Sequence, residues 1–178
     1  MRPGQQTNRL MTTLPSPAPR DPIRLVIRPI APDLFASFGT LHAEPDPLPR
    51  QDRAAPVWNG RPAVPPNLAL IRSEPYADVM PLRRLEQHPL SSQSFLPLSV
   101  AGYVVVVAQD RDGAPDPGTL TAFAVPGHVG LTYRAGAWHA HMMTRETPGT
   151  FAMLAYEDGS EADCVFAAIP ETLLVEPA

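Results

Sequence analysis

The chain has no lysine: all 14 of its basic residues are arginine. Schiff-base chemistry and a Walker-type phosphate loop are thereby excluded, because both need a lysine amine. A single cysteine, Cys164, excludes an internal disulfide and any thiolate-rich metal site, and fits a reducing compartment such as the cytoplasm. No apolar run approaches the ~20 residues that cross a bilayer. The opening stretch MRPGQQTNRLMTTLPSPAPR has no apolar core of a secretory signal. Neither a membrane nor a nucleic acid is expected as a partner, since 14 arginines against 18 acids leave a net charge of −4 and no basic surplus for a phosphate backbone. No G-x-S-x-G elbow accompanies Ser91, Ser92 and Ser94, so a serine nucleophile is not indicated.

What is present is a 44% hydrophobic sequence of 178 residues, enough for one domain with a real core. Of its 24 prolines, 14 lie within the first 66 residues, where they oppose helices and central strands. Residues 1–20 read as a disordered, proline-rich tail, and 21–178 as a single domain. Ile23–Ile30 reads as a strand, Pro32-Asp33-Leu34-Phe35 as a short helix start closed by Gly39, and 44–56 as a surface loop. Gly102–Ala108, GYVVVVA, is apolar on both faces, as a fully buried strand requires. Further strands are expected at 119–125, 129–135, 138–144, 150–157 and 162–169, each bounded by glycine or proline. Short strands at near-regular spacing predict an all-β jelly roll with a few short helices.

Five histidines are available for chemistry. His139 and His141, on one strand, would share a face and suit a metal or acid–base pair. His88 stands near Glu86, with Gln93 brought in only if the chain turns. His42 and His128 are expected in solvent, Cys164 as a small buried hydrophobe, and Met142-Met143 beside Trp138 as core. Arg83, Arg84 and Arg134 each offer a planar fork for a carboxylate.

Two blocks carry a family resemblance. Glu86, His88, Pro89, Ser92, Gln93, Phe95 and Pro97 match the stretch E-R-H-P-x-x-[ST]-Q-x-F-x-P, and Tyr133, Gly136, Trp138 and His139 match Y-x-x-G-x-W-H. Together with the valine run and IRPIAPDLFASFGTLH they resemble the ureidoglycolate lyase family. The resemblance implies a cupin-like jelly-roll barrel, usually a homodimer in the cytoplasm, that cleaves (S)-ureidoglycolate to glyoxylate and urea in allantoin catabolism. It implies that His88, His139 and Glu86 are catalytic. Gln93, Arg134, Arg84, Tyr133, Ser92 and Trp138 would bind the small-molecule substrate. The chemistry requires no cofactor, yet a divalent metal could bind among His88, Gln93, His139 and His141. Departures from the family pattern stand at Gln87, Val129, Thr132 and His141, and the stretch between Trp58-Asn59-Gly60 and Glu86 is short. The alternative expectation is a non-catalytic cupin that binds a small carboxylate or metal.

Overall fold

A computed structural model describes residues 21–43, 50–53, 56–76 and 81–177. The expected tail at 1–20 and most of the expected loop at 44–56 lie outside them. Among the described residues, fourteen strands make up the architecture: β1 (Ile23–Pro29), β2 (Gly39–His42), β3 (Pro66–Ser73), β4 (Leu82–Gln87), β5 (Gln93–Ser99), β6 (Gly102–Ala108), β7 (Asp110–Arg111), β8 (Ala114–Pro115), β9 (Thr121–Pro126), β10 (Gly130–Tyr133), β11 (Trp138–His139), β12 (Met143–Thr144), β13 (Gly149–Tyr156) and β14 (Val165–Val175). A turn of α-helix, α1 (Pro32–Phe35), and a 3₁₀ turn at Pro117–Thr119 each start on a proline, whose fixed φ suits the first position of a helix.

Twelve of these strands form two layers, and β7 and β8 pair as a separate hairpin. In the first the order is β11-β4-β14-β1-β9-β6-β12, and β11 also pairs with β6, so six strands close into a mixed barrel. β1 runs parallel to both β14 and β9. The second layer is a five-stranded sheet, β2-β10-β5-β13-β3, all antiparallel at the pairings that flank the barrel face. This is the all-β architecture that the strand spacing predicts, in the cupin-like barrel form that the resemblance implies.

β6 explains why its sequence is apolar on both faces. Val104, Val106 and Ala108 join Ile27, Leu85, Trp138 and Met143 in the interior of the barrel. Tyr103, Val105 and Val107 point the other way, into the gap between the layers, where they meet Phe35, Phe95, Phe123, Leu131 and Phe151. A strand with core on both sides cannot alternate polar and apolar residues.

Four local expectations are corrected. Gly39 does not close the helix; it opens β2, where a Cβ would lie 1.9 Å from the Thr132 carbonyl oxygen, so the close approach of two strands selects glycine. The stretch 138–144 is not one strand. Four steps from His139 to Met143 oppose three from Val107 to Val104, and that extra residue is a bulge that breaks the alternation. His139 is consequently buried and His141 exposed, so the two imidazoles do not share a face. His42 is half-buried rather than solvated, and its Nε2 lies 2.7 Å from the Thr132 hydroxyl. Cys164 is half-buried at the edge of the layers instead of in a core. His128 is exposed, as expected, and Met142 and Met143 split between the two cores. The sequence reading also passes over β4, and over β3 and β5, which Pro66 and Pro97 disguise.

Candidate active site

Strand alternation aims the first two residues. Leu85 faces the barrel interior, so Glu86, next along β4, faces the gap between the layers. Trp138 likewise fills the barrel while His139 points outward, on the side of Val107. The β4–β11 register then places Glu86 opposite His139. From the other layer, Gln93 at the start of β5 and Tyr133 at the end of β10 pair across their strands and face the same gap.

His88 and Glu157 arrive on connections instead of strands. The turn after β4 is tied down at several points: Gly136 N–H donates to the His88 carbonyl (3.0 Å), and Gly60 N–H to that of Leu90 (2.9 Å). The Ser92 hydroxyl accepts from Trp58 N–H (2.7 Å), and that of Ser91 from Tyr156 N–H (2.8 Å). These serines are backbone ties, which accounts for hydroxyls without a nucleophilic setting. Ser92, expected as a substrate ligand, is among them.

At the centre, His139 Nε2 lies 3.6 Å from Glu86 Oε1 and 3.1 Å from the Gln93 side-chain amide. Its Nδ1 donates to the Ala137 carbonyl oxygen at 2.9 Å. A carbonyl only accepts, so Nδ1 holds the proton and Nε2 accepts, from the Gln93 NH₂ in the appropriate amide flip. The imidazole stacks on Tyr133, with ring centroids 4.0 Å apart, and on His88 at 5.7 Å. His88 Nδ1 is 3.7 Å from Glu157 Oε1, and neither ring nitrogen of this buried histidine has a hydrogen-bond partner among the described residues.

Burial dominates the electrostatics. It lowers the His139 pKa to about 3, with the Ala137 carbonyl opposing, so this ring is neutral. Burial also lowers the pKa of His88, against the raising influence of Glu157 and the Asp163 backbone carbonyl. Glu86 moves the other way: burial raises its pKa, and the Arg84 charge partly offsets that. The Cys164 thiol, 3.9 Å from Glu86 Oε2, is pushed up to about 11 by burial and then by Glu86, so it stays protonated.

The remaining expected site residues divide. Arg84 lies two residues before Glu86 on β4, exposed, with its guanidinium 4.7 Å over the Phe166 ring. Its charge acts on Glu86. Arg134 is exposed and its Nε donates to the Ser37 carbonyl (2.6 Å). The Trp138 indole donates to Asp110 Oδ2 (2.9 Å) from within the barrel core. Neither is brought to the cluster, nor is His141. Glu157 is the residue that sequence reasoning misses. Its position at the end of a strand carries no pattern linking it to His88.

Donor atoms of Glu86, His88 and His139 all lie within 4.8 Å of one another. One carboxylate oxygen and two imidazole nitrogens suit a borderline divalent cation, and the unpartnered nitrogens of His88 leave it free to ligate. Gln93 borders this set. His141 does not.

A family model described as ureidoglycolate lyase matches residues 22–176. A ureidoglycolate lyase of Stutzerimonas stutzeri is 31% identical over 163 residues, covering 86% of this chain and 95% of that one. One of Pseudomonas aeruginosa is 31% identical over 163 residues, with 86% and 96% covered. The ureidoglycolate lyase of Saccharomyces cerevisiae is 39% identical over 94 residues, 47% of this chain and 48% of its own.

Proposed function

The chain belongs to the ureidoglycolate lyase family, and from that premise we propose that the Glu86–His88–His139 cluster cleaves (S)-ureidoglycolate into glyoxylate and urea by acid–base elimination. The substrate carries hydroxyl, carboxylate and ureido nitrogen on one carbon. Cleavage needs a base for the hydroxyl proton as the C=O forms and the C–N bond breaks, and an acid for the departing nitrogen. The bond broken makes it a carbon–nitrogen lyase of the amidine-lyase class, acting in allantoin and purine nitrogen catabolism.

Opposite shifts support the roles inferred here. Glu86, with its pKa raised by burial, is the acid that protonates urea. His88 is the base, because Glu157 opposes the loss of its basicity, whereas His139 at about 3 has little driving force to take a proton. His139 and Gln93 then serve as a neutral hydrogen-bonding pair for the substrate, and Tyr133 as the wall that holds the His139 ring. Arg84 supplies the cation for the substrate carboxylate. The observation that carries this reading is the convergence of Glu86, His88, Gln93 and His139, from two separated sequence blocks, into one gap between the layers.

A divalent metal is a second reading, supported by the three converging donors and by the unpartnered His88. Held by Glu86, His88 and His139, it would supply Lewis acidity to the substrate oxygens.

A homodimer fits the outer face of the five-stranded sheet. Leu68 and Leu70 on β3 are 72% and 74% exposed, Leu96 and Leu98 on β5 48% and 59%, and the register sets Leu70, Ala152 and Leu96 side by side. Such an apolar face calls for a partner, and a second copy closes it by symmetry. Work in the reducing cytoplasm fits an unbridged Cys164.

The test is glyoxylate release from racemic ureidoglycolate, corrected for spontaneous decay, with and without chelator and added divalent metal. Turnover that stops near half the racemate is expected. No rate above the blank overturns the assignment.

A further inference from the structure

Each histidine of the site has its own carboxylate, but only one pair is explained by the family's two sequence blocks. Glu86 faces His139 at 3.6 Å and Glu157 faces His88 at 3.7 Å. The second pair depends on a structure built for it. Arg61, at 18% side-chain exposure, lies within the turn that follows Glu157. It donates to the Tyr156 carbonyl (3.0 Å) and to Ser160 Oγ (3.4 Å), pairs with Asp158 at 2.9 Å, and pairs with Asp163. Asp163 in turn accepts from Asp158 N–H (3.0 Å) and Gly159 N–H (2.6 Å). Asn59 holds Arg61 itself, accepting from its backbone N–H at 2.8 Å. The Trp58–Arg61 segment also binds the His88 turn, through the Trp58–Ser92 and Gly60–Leu90 hydrogen bonds. It therefore ties together the two connections that deliver His88 and Glu157. The second carboxylate oxygen of Glu157 is fixed from the opposite side by Asn67 Nδ2 at 3.0 Å.

We propose that Glu157 is the positioning residue of His88, held in place by Arg61 and Asn67, and that it fixes the tautomer with the proton on Nδ1 so that Nε2 presents a lone pair to the substrate. Of the groups that bear on the ring, the Glu157 carboxylate acts by charge and the Asp163 backbone carbonyl as a neutral acceptor, and a carboxylate is the stronger acceptor for the Nδ1 proton. The arrangement repeats the one at His139, where the Ala137 carbonyl holds the Nδ1 proton and Nε2 accepts. Both imidazoles then turn the same nitrogen towards the reacting centre. The distance of 3.7 Å exceeds a hydrogen bond, and such contacts tighten when substrate binds.

The inference rests on the lyase reading for its kinetic arm only. In the spectroscopic arm, ¹⁵N-histidine NMR of the full chain reads the His88 tautomer directly, with His88→Gln identifying its signals. The Nδ1–H form is expected in the wild type, a shift away from it in Glu157→Leu, and its return in Glu157→Gln, whose amide oxygen still accepts. In the kinetic arm, Glu157→Leu lowers kcat by roughly 10- to 100-fold with KM within about threefold, and Glu157→Gln recovers most of that loss. An Nε2–H tautomer in the wild type overturns the proposal, whether or not any variant folds. So does a folded Glu157→Leu protein with unchanged tautomer and kcat. A wild type that shows the Nδ1–H form yet does not cleave ureidoglycolate overturns the lyase reading instead, and leaves the role of Glu157 standing.

Discussion

Glu86 and His139 are the residues through which β4 and β11 pair, so the contact that closes the barrel is also the contact at the centre of the site. Strand register fixes their approach, where two loops would have left it free. A site built on paired strands is held more firmly than one on loops, which suits the proposed acid Glu86 and the neutral imidazole that borders it.

Glu86→Gln keeps the size and polarity of the side chain and removes the proton it can donate. The expected loss in kcat is about 10²- to 10⁴-fold, with little change in melting temperature. A variant that keeps half of the wild-type kcat would remove Glu86 from the acid role.

The stability of the fold should fall on acidification. His139 keeps a folded-state pKa of about 3 against 6.5 when unfolded, so between those values the unfolded chain takes up a proton that the native state refuses. Stability from this group is therefore full above about pH 6.5 and declines as pH drops towards 3, by about 1.4 kcal/mol per unit. Glu86, raised by burial, acts in the opposite sense, so the comparison is with His139→Gln. Urea melts at pH 7 and pH 5 should show a shallower pH dependence in that variant; equal dependence would contradict the neutral His139.

Calorimetric titration with zinc or nickel should give one site per chain, abolished in His88→Ala and in His139→Ala. No heat in the wild type would leave the cluster as a metal-free acid–base site. Activity before and after chelation then decides whether a bound ion takes part in turnover.

Leu70→Glu places a charge in the middle of the apolar outer face, beside Ala152 and across from Leu96. Light scattering should give a dimer for the wild type and a monomer for the variant, with turnover retained if each site is complete within one chain. A wild-type monomer would sink the interface.

Arg84→Met retains the apolar stem over Phe166 and removes the charge. KM should rise by about tenfold or more, as a lost charged hydrogen bond of roughly 1.5–3 kcal/mol implies. A KM unchanged from wild type would place the carboxylate elsewhere, and Arg134, bound to the Ser37 carbonyl, would need to move to reach it.

Sequence alone determines what rests on local pattern and residue identity. The two-faced valine run specifies a strand with core on both sides, and Pro32 starts a helix; both follow from steric and hydrophobic preferences of adjacent residues. Glu86, His88, Gln93 and His139 are legible because they belong to matched blocks. Their convergence is not, because spacing says nothing about which strand will pair with which. The bulge after His139, which sends His141 to the surface, is invisible in AWHAHMM, since one residue added to one strand leaves no mark in composition. Arg134 and Arg84 read alike as carboxylate forks, and only tertiary structure commits one to a backbone carbonyl and sets the other beside Glu86. Glu157 is the clearest case. Nothing around it in the chain distinguishes it from any exposed acid, and it acquires its place because Arg61, far away in sequence, winds the following turn around its own guanidinium.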